Sequence, residues 1–118
     1  MNFTYLASPY TPNGVADPAV AAQIRRERYR EACRAAAKLM LEGRVVFCPI
    51  AHSHAIDVEF PEPGSGEFWK RQDEPYLAAC TEMVVLRLPR WEESVGVRHE
   101  IEVAQFRGIP ITYMDPLP

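Results

Sequence analysis

Two short runs constrain this chain most: RVVFCPI at residues 44–50 and EMVVLRL at residues 82–88. Each is too short for a helix, and each is apolar almost throughout instead of alternating with polar residues. Such runs belong to strands buried on both faces, the condition of a parallel sheet covered by helices. Parallel neighbours in turn require helix-length crossovers between them.

The remaining segments supply those crossovers. Residues 3–8 are apolar and aromatic and end at Pro9, which predicts a first buried strand feeding a loop. Asp17 followed by Pro18 is a helix start, and Gly43 is the matching stop. Between them Val20, Ile24, Ala32, Ala36, Leu39 and Met40 recur at helical spacing, whereas Arg25, Arg26, Arg28 and Arg30 lie mainly elsewhere and read as a solvated face. Residues 51–66, with prolines and glycines, read as a long connection. A partly helical segment around Phe68, Trp69 and Tyr76 follows, whose regular turn is expected to begin near Pro75 with Asp73 close to its N-terminus. Ser94 caps a further helix that Gly108 ends, and residues 109–114 form a last strand.

Strand and helix alternate throughout. The expected fold is α/β: three layers, a mainly parallel sheet of four to five strands flanked by helices, flavodoxin-like or Rossmann-like. At 118 residues the chain has room for one domain, residues 1–118. Its thirteen Lys and Arg against sixteen Asp and Glu give a net charge of −3, which offers no broad basic field for nucleic acid. Cys33, Cys48 and Cys80 are odd in number, far apart and set among apolar residues, so they read as reduced core thiols and point to the cytoplasm. No stretch approaches the ~20 apolar residues of a membrane span, and the N-terminus lacks a secretory pattern, so no membrane partner is expected.

Ligands of doubly wound domains bind at the carboxyl ends of the strands. Those ends carry Ser8, Pro9 and Tyr10 after the first strand, His52, Ser53 and His54 after the second, and the loop leading to Ser94 after the third. In the helix that follows, Gly96, Val97, Val103 and Ala104 share one face, and Glu100 sits in the middle of it. A carboxylate in a core-facing stripe needs a reason, and a ligand cleft is one. Gly96, one turn earlier, leaves the surface beside Glu100 bare, and the free N–H groups of the helix start, with the Ser94 hydroxyl, suit an anion such as phosphate. Asp73 and Glu74 are the other carboxylates near that cleft, Asp73 reading on spacing as a helix cap. His52 and His54, with Cys48 and Asp57 nearby, lack a fixed third ligand, so a polar ligand-facing loop is expected there rather than a metal centre. No cofactor is expected. Tyr5, Tyr10, Trp69 and Trp91 could pack or stack, and Tyr10, in a loop after a proline, is the least core-like.

Taken together, YLASPYT, CPIAHSH, WKRQDEPYLAAC and WEESVGVRHEIEVA resemble the nucleoside 2-deoxyribosyltransferase superfamily, in particular a branch of small bacterial proteins related to the deoxynucleoside-monophosphate N-glycosidases. The likeness covers Tyr5 to Pro110. It implies that Glu100, four residues after Gly96, is the nucleophile, that Asp73 handles the proton of the leaving base, and that Tyr5 helps hold the nucleophile. It also implies that Ser94, six residues before Glu100, stands where monophosphate enzymes carry a phosphate-binding serine and free-nucleoside enzymes an aspartate. Ser8, Tyr10, His52, His54, Trp69, Ser94 and Gly96 become the candidate substrate-binding residues.

The expected function is N-glycosidase or N-deoxyribosyltransferase action on a nucleotide or nucleoside, with retention, in a homo-oligomer. Two features depart from the pattern: SPYTPNG replaces a glycine-rich, arginine-containing loop, and His52 and His54 have no counterpart. They keep open a catalytically inactive nucleotide or sugar-phosphate binding module of the same fold. A metal-dependent hydrolase built on His52 and His54 is the third possibility.

Overall fold

The computed structural model describes residues 2–118. Strand β1 (Thr4–Ala7) leads to helix α1 (Pro18–Leu41), strand β2 (Val46–Phe47), helices α2 (Pro49–Asp57) and α3 (Gly66–Ala79), and strand β3 (Glu82–Leu86). A single 3₁₀ turn (Trp91–Glu93), helix α4 (Val95–Arg107) and strand β4 (Ile111–Met114) complete the chain. The four strands form one all-parallel sheet in the order β2-β1-β3-β4. Thr4 pairs with Val46 on one side and Glu82 on the other, and Met83 pairs with Ile111.

Alternation along the buried strands sorts side chains into two layers. Leu6, Val84 and Leu86 face Ala32, Ala35, Ala36 and Leu39 of α1. Tyr5, Ala7, Met83 and Val85 face Leu77 of α3 with Val97 and Ala104 of α4. The fold is therefore the expected three-layer α/β arrangement with four strands. Alanines on α1 let its axis lie close to the sheet. Val20 and Met40, expected in the same stripe, are instead about half exposed, at 46% and 51%. A helix rising 1.5 Å per residue over 24 residues outruns strands of four or five, so its ends overhang the sheet.

Local chemistry accounts for the helix boundaries. The Asp17 carboxylate accepts from the Ala19 N–H at 2.9 Å, Pro18 opens α1, and Gly43 turns the chain at φ +94°. Ser94 Oγ accepts from the Val97 N–H at 3.2 Å, and Gly108 ends α4 at φ +70°.

Two expectations need correction. The strand expected over residues 44–50 pairs only at Val46 and Phe47, because Pro49 has no N–H for a ladder and instead opens α2. His52, Ser53 and His54 consequently sit on a helix, not in a loop. Helix α3 does not begin near Pro75. Ser65 caps it, accepting from the Phe68 N–H at 3.1 Å, and it runs through Pro75 on an exposed face. Asp73 is thus mid-helix, not a cap. No helix of the described residues is long and apolar enough to cross a membrane.

Candidate active site

The chain leaves β1 for β2 on one side and then returns for β3 on the other, so the strand order reverses at β1. Loops diverge at such a point and leave a crevice beyond the strand ends. Here a cleft of about 750 Å³ opens between α2, α3 and the start of α4. Tyr5, Ser8, Tyr10, His54, Trp69, Asp73, Ser94, Gly96 and Glu100 all line it. His52 does not. It is exposed and lies with Tyr76 against Phe47, 5.3 Å from the Phe47 ring, because neighbouring helix positions face different ways.

Glu100 is held from below. Tyr5 has no exposed surface, and its hydroxyl donates a hydrogen bond to a Glu100 carboxylate oxygen. Burial first, then the Glu100 charge, pushes the Tyr5 pKa far above its ordinary value, so the hydroxyl remains a donor at every physiological pH. Burial pushes the Glu100 carboxyl up to about 8; the Tyr5 hydrogen bond pulls it down and the charge of Asp73 adds to the rise. Burial also raises Asp73, to about 7. Trp69, Asp73 and Leu77 are spaced four apart, so they form one stripe of α3, with Leu77 in the core and the other two on the cleft. Two acids thus share a cleft and hold protons near neutrality.

The start of α4 forms the mouth. Ser94 combines its capping role with a place on the cleft wall. A methyl on Gly96 would meet nothing nearer than Ser94 Oγ at 4.0 Å, so the fold itself leaves room for a side chain there. Ser8, also on the cleft, has a buried Oγ without a hydrogen-bond partner, close to the Cys48 thiol that burial drives up to about 12.

The α2 end joins Tyr10, His54 and Trp69, candidates from the sequence, to Asp57 and Arg25, which the sequence did not assign to the substrate. Asp57 Oδ1 accepts from the Gly64 N–H at 2.8 Å and from Trp69 Nε1 at 3.1 Å, which ties the α2–α3 connection to the first turn of α3. Tyr10 and His54 Nδ1 are 2.6 Å apart, and the His54 ring stacks on Tyr29 at 4.3 Å. The arginines expected on a solvated face divide. Arg25 lines the cleft with its guanidinium 5.9 Å from the Tyr10 ring centre, and Arg28 donates to the Tyr10 and Pro89 carbonyls at 3.2 and 3.4 Å. His99, one position before Glu100, also lines the cleft. The spacing of Trp69, Asp73 and Leu77 was a readable signal, whereas nothing local marks Asp57 or Arg25. Among the described residues no three of His, Cys, Asp and Glu cluster as metal ligands.

The family model described as a domain of unknown function (DUF1937) matches residues 2–116. No curated protein matches the chain.

Proposed function

We propose, for a chain that belongs to the DUF1937 family, that the cleft cleaves the N-glycosidic bond of a nucleotide or nucleoside with Glu100 as nucleophile. The observation that carries the reading is the Tyr5–Glu100 hydrogen bond at the floor of a cleft that Asp73 also lines. Tyr5 steadies the ionised form of Glu100, an aid that Asp73 lacks, but burial still leaves Glu100 at about 8 against about 7 for Asp73, so a pair sharing one proton reaches, as its minor form, the state with Glu100 ionised and Asp73 protonated. That is the division of labour a retaining displacement needs.

In the first step a Glu100 oxygen bonds to the anomeric carbon while the carbon–nitrogen bond breaks, and the departing nitrogen takes the Asp73 proton. In the second, water or an acceptor base gives its proton to Asp73 as it bonds to the anomeric carbon, releasing the Glu100 carboxylate. Ser94 Oγ and the free N–H groups of α4 would hold a 5′-phosphate. Arg25, reaching the cleft from α1, offers a guanidinium although the SPYTPNG loop has none.

That loop favours the second reading, a nucleotide or sugar-phosphate binding module without the reaction. Incubation with a set of nucleosides and nucleoside 5′-monophosphates separates the two. Free base accumulating in the wild type, together with a glycosyl mass shift on Glu100, supports the enzyme. Thermal stabilisation by a nucleotide with no base released would favour the module.

A further inference from the structure

The α2 end of the cleft carries two hydrogen-bonding groups that neither nucleophile nor acid uses. Asp57 is buried, 8% exposed, and its Oδ1 is occupied by the Gly64 and Trp69 N–H groups. Its Oδ2 has no protein partner among the described residues and is not sealed from solvent, since Ser8 Oγ is the sole enclosed side-chain oxygen lacking one. A lone carboxylate oxygen opening on a cleft is a strong acceptor for an N–H donor.

His54 faces the same space. Burial and then the Asp57 charge raise the Tyr10 hydroxyl to about 12, so it keeps its proton and, 2.6 Å from His54 Nδ1, can donate to that nitrogen. Burial lowers the His54 pKa, favouring the neutral ring, and a neutral ring accepting at Nδ1 carries its hydrogen on Nε2. Nε2–H is then the group His54 has left for a ligand. Trp69, backed by the nearly parallel Phe60 ring 5.7 Å away, walls this end with a flat apolar surface. The cleft therefore offers one acceptor, one donor and an aromatic wall, the complement of a planar heterocycle whose edge has an N–H beside an acceptor.

We infer that Asp57 and His54 read the edge of the nucleobase, Asp57 Oδ2 accepting from a base N–H and His54 Nε2–H donating to the adjacent oxygen or nitrogen. Taking the occupant for a nucleobase rests on the glycosidase reading, but the subsite can be tested without turnover by using free bases. Uracil, hypoxanthine and adenine, each blocked by a methyl group at the glycosidic nitrogen and here called the unmodified bases, are titrated by NMR against 1,3-dimethyluracil, 1,9-dimethylhypoxanthine and 9-methyl-6-dimethylaminopurine, in which further methylation removes the remaining edge donor. The wild type should bind the unmodified bases at least about ten-fold more tightly, because a buried acceptor left without its donor is penalised.

Asp57→Asn keeps an amide oxygen for Gly64 and Trp69 but turns the free acceptor into a donor, so the discrimination should vanish while the melting temperature holds. Should that variant fail to fold, His54→Phe keeps the stack on Tyr29, removes Nε2–H and should weaken the unmodified bases by a similar factor. Bases that do not bind, equal binding of both sets by the wild type, or undiminished discrimination in Asp57→Asn (undiminished binding of the unmodified bases by His54→Phe, should Asp57→Asn not fold) would overturn the inference. Base release from nucleotides without edge discrimination would sink the subsite and spare the glycosidase. Edge discrimination without base release would do the reverse.

Discussion

The Tyr5 hydroxyl, on a strand residue with no exposed surface, donates to the carboxylate of Glu100 across 95 positions of sequence. Tyr5 is held by sheet pairing to Phe47 on one side and Met83 on the other, so Glu100 is aimed from an inner strand of the sheet. Under the proposed chemistry Glu100→Gln should lower base release at least ~1,000-fold and leave nucleotide binding within a few-fold. Tyr5→Phe keeps the ring packed near Phe47 and removes one charge-assisted hydrogen bond of about 1.5–3 kcal/mol, predicting a ~10–100-fold loss. The donor lowers the Glu100 pKa, which is the higher of the two, so its removal should also move the basic limb of the rate profile to higher pH. A Glu100→Gln variant that turns over would remove the nucleophile assignment.

The two acids should make the fold less stable as pH rises. Both carboxyls are raised in the folded protein, Asp73 from 3.8 to about 7 and Glu100 from 4.5 to about 8. The folded state therefore holds protons that the unfolded chain releases near pH 4, and the stability this confers is complete below that pH and lost progressively up to about 8. Asp73→Asn and Glu100→Gln should each stabilise the protein at pH 9 by about 1–2 kcal/mol, after discounting for partial exposure, and by nearly nothing at pH 4. Melting curves at the two pH values decide it, with ~3–6 °C expected at the higher one. Gains equal at both would mean that proton binding is not the cause. Base release should follow a narrow bell, rising as the first proton leaves the pair near 7 and falling as the second leaves near 8.

Ser94 caps α4 and, in the proposed site, also holds the 5′-phosphate, two roles that one substitution separates. Aspartate is as good a helix cap as serine, so Ser94→Asp should change the melting temperature by no more than ~2 °C. Its charge would oppose a phosphate at the same N-terminus, so KM for a nucleoside 5′-monophosphate should rise at least ten-fold while that for the free nucleoside stays level. A uniform change for both substrates would place the phosphate elsewhere.

Where local chemistry decides an element, the sequence was readable. Asp17 with Pro18, Ser94, Gly108 and the apolar runs of β1, β3 and β4 all act through neighbours in the chain. Helix α2 was not readable, because its apolar residues have no helical period and it is held by packing against α1. Pro75 misled for a related reason. Tertiary packing of Leu77 and the Ser65 cap outweigh one lost backbone hydrogen bond on an exposed face. In the site, Glu100 stood out as a charge in an apolar stripe. Asp57 did not, because its partners Gly64 and Trp69 meet it only through the fold of the connection.

That connection gives a sharp packing prediction. A Cβ on Gly64 would lie 2.5 Å from Trp69 Nε1 and 3.2 Å from Asp57 Oδ1, whereas one on Gly66, two residues on, would meet nothing within 4 Å. Gly64→Ala should destabilise by about 1–3 kcal/mol and shift tryptophan fluorescence as the indole is displaced, while Gly66→Ala should be neutral or slightly stabilising. Equal effects at the two positions would show that the Asp57–Trp69 clamp is not tightly packed.

Gly96 presents the opposite case. Its φ is not left-handed, it is exposed, and the space where a methyl would go is empty out to Ser94 Oγ at 4.0 Å. Backbone geometry therefore gives no reason for glycine in the first turn of α4, and alanine there should stabilise the helix by about 0.5 kcal/mol. The empty space belongs to the cleft, four residues from Glu100 on the same helix face. Gly96→Ala is expected to raise the melting temperature slightly and to lower kcat/KM at least ten-fold, since a methyl would hold the sugar away from the nucleophile. A variant that gains stability and keeps full turnover would mean that the substrate does not pass over this turn, and the sugar would have to reach Glu100 from the Asp73 side alone.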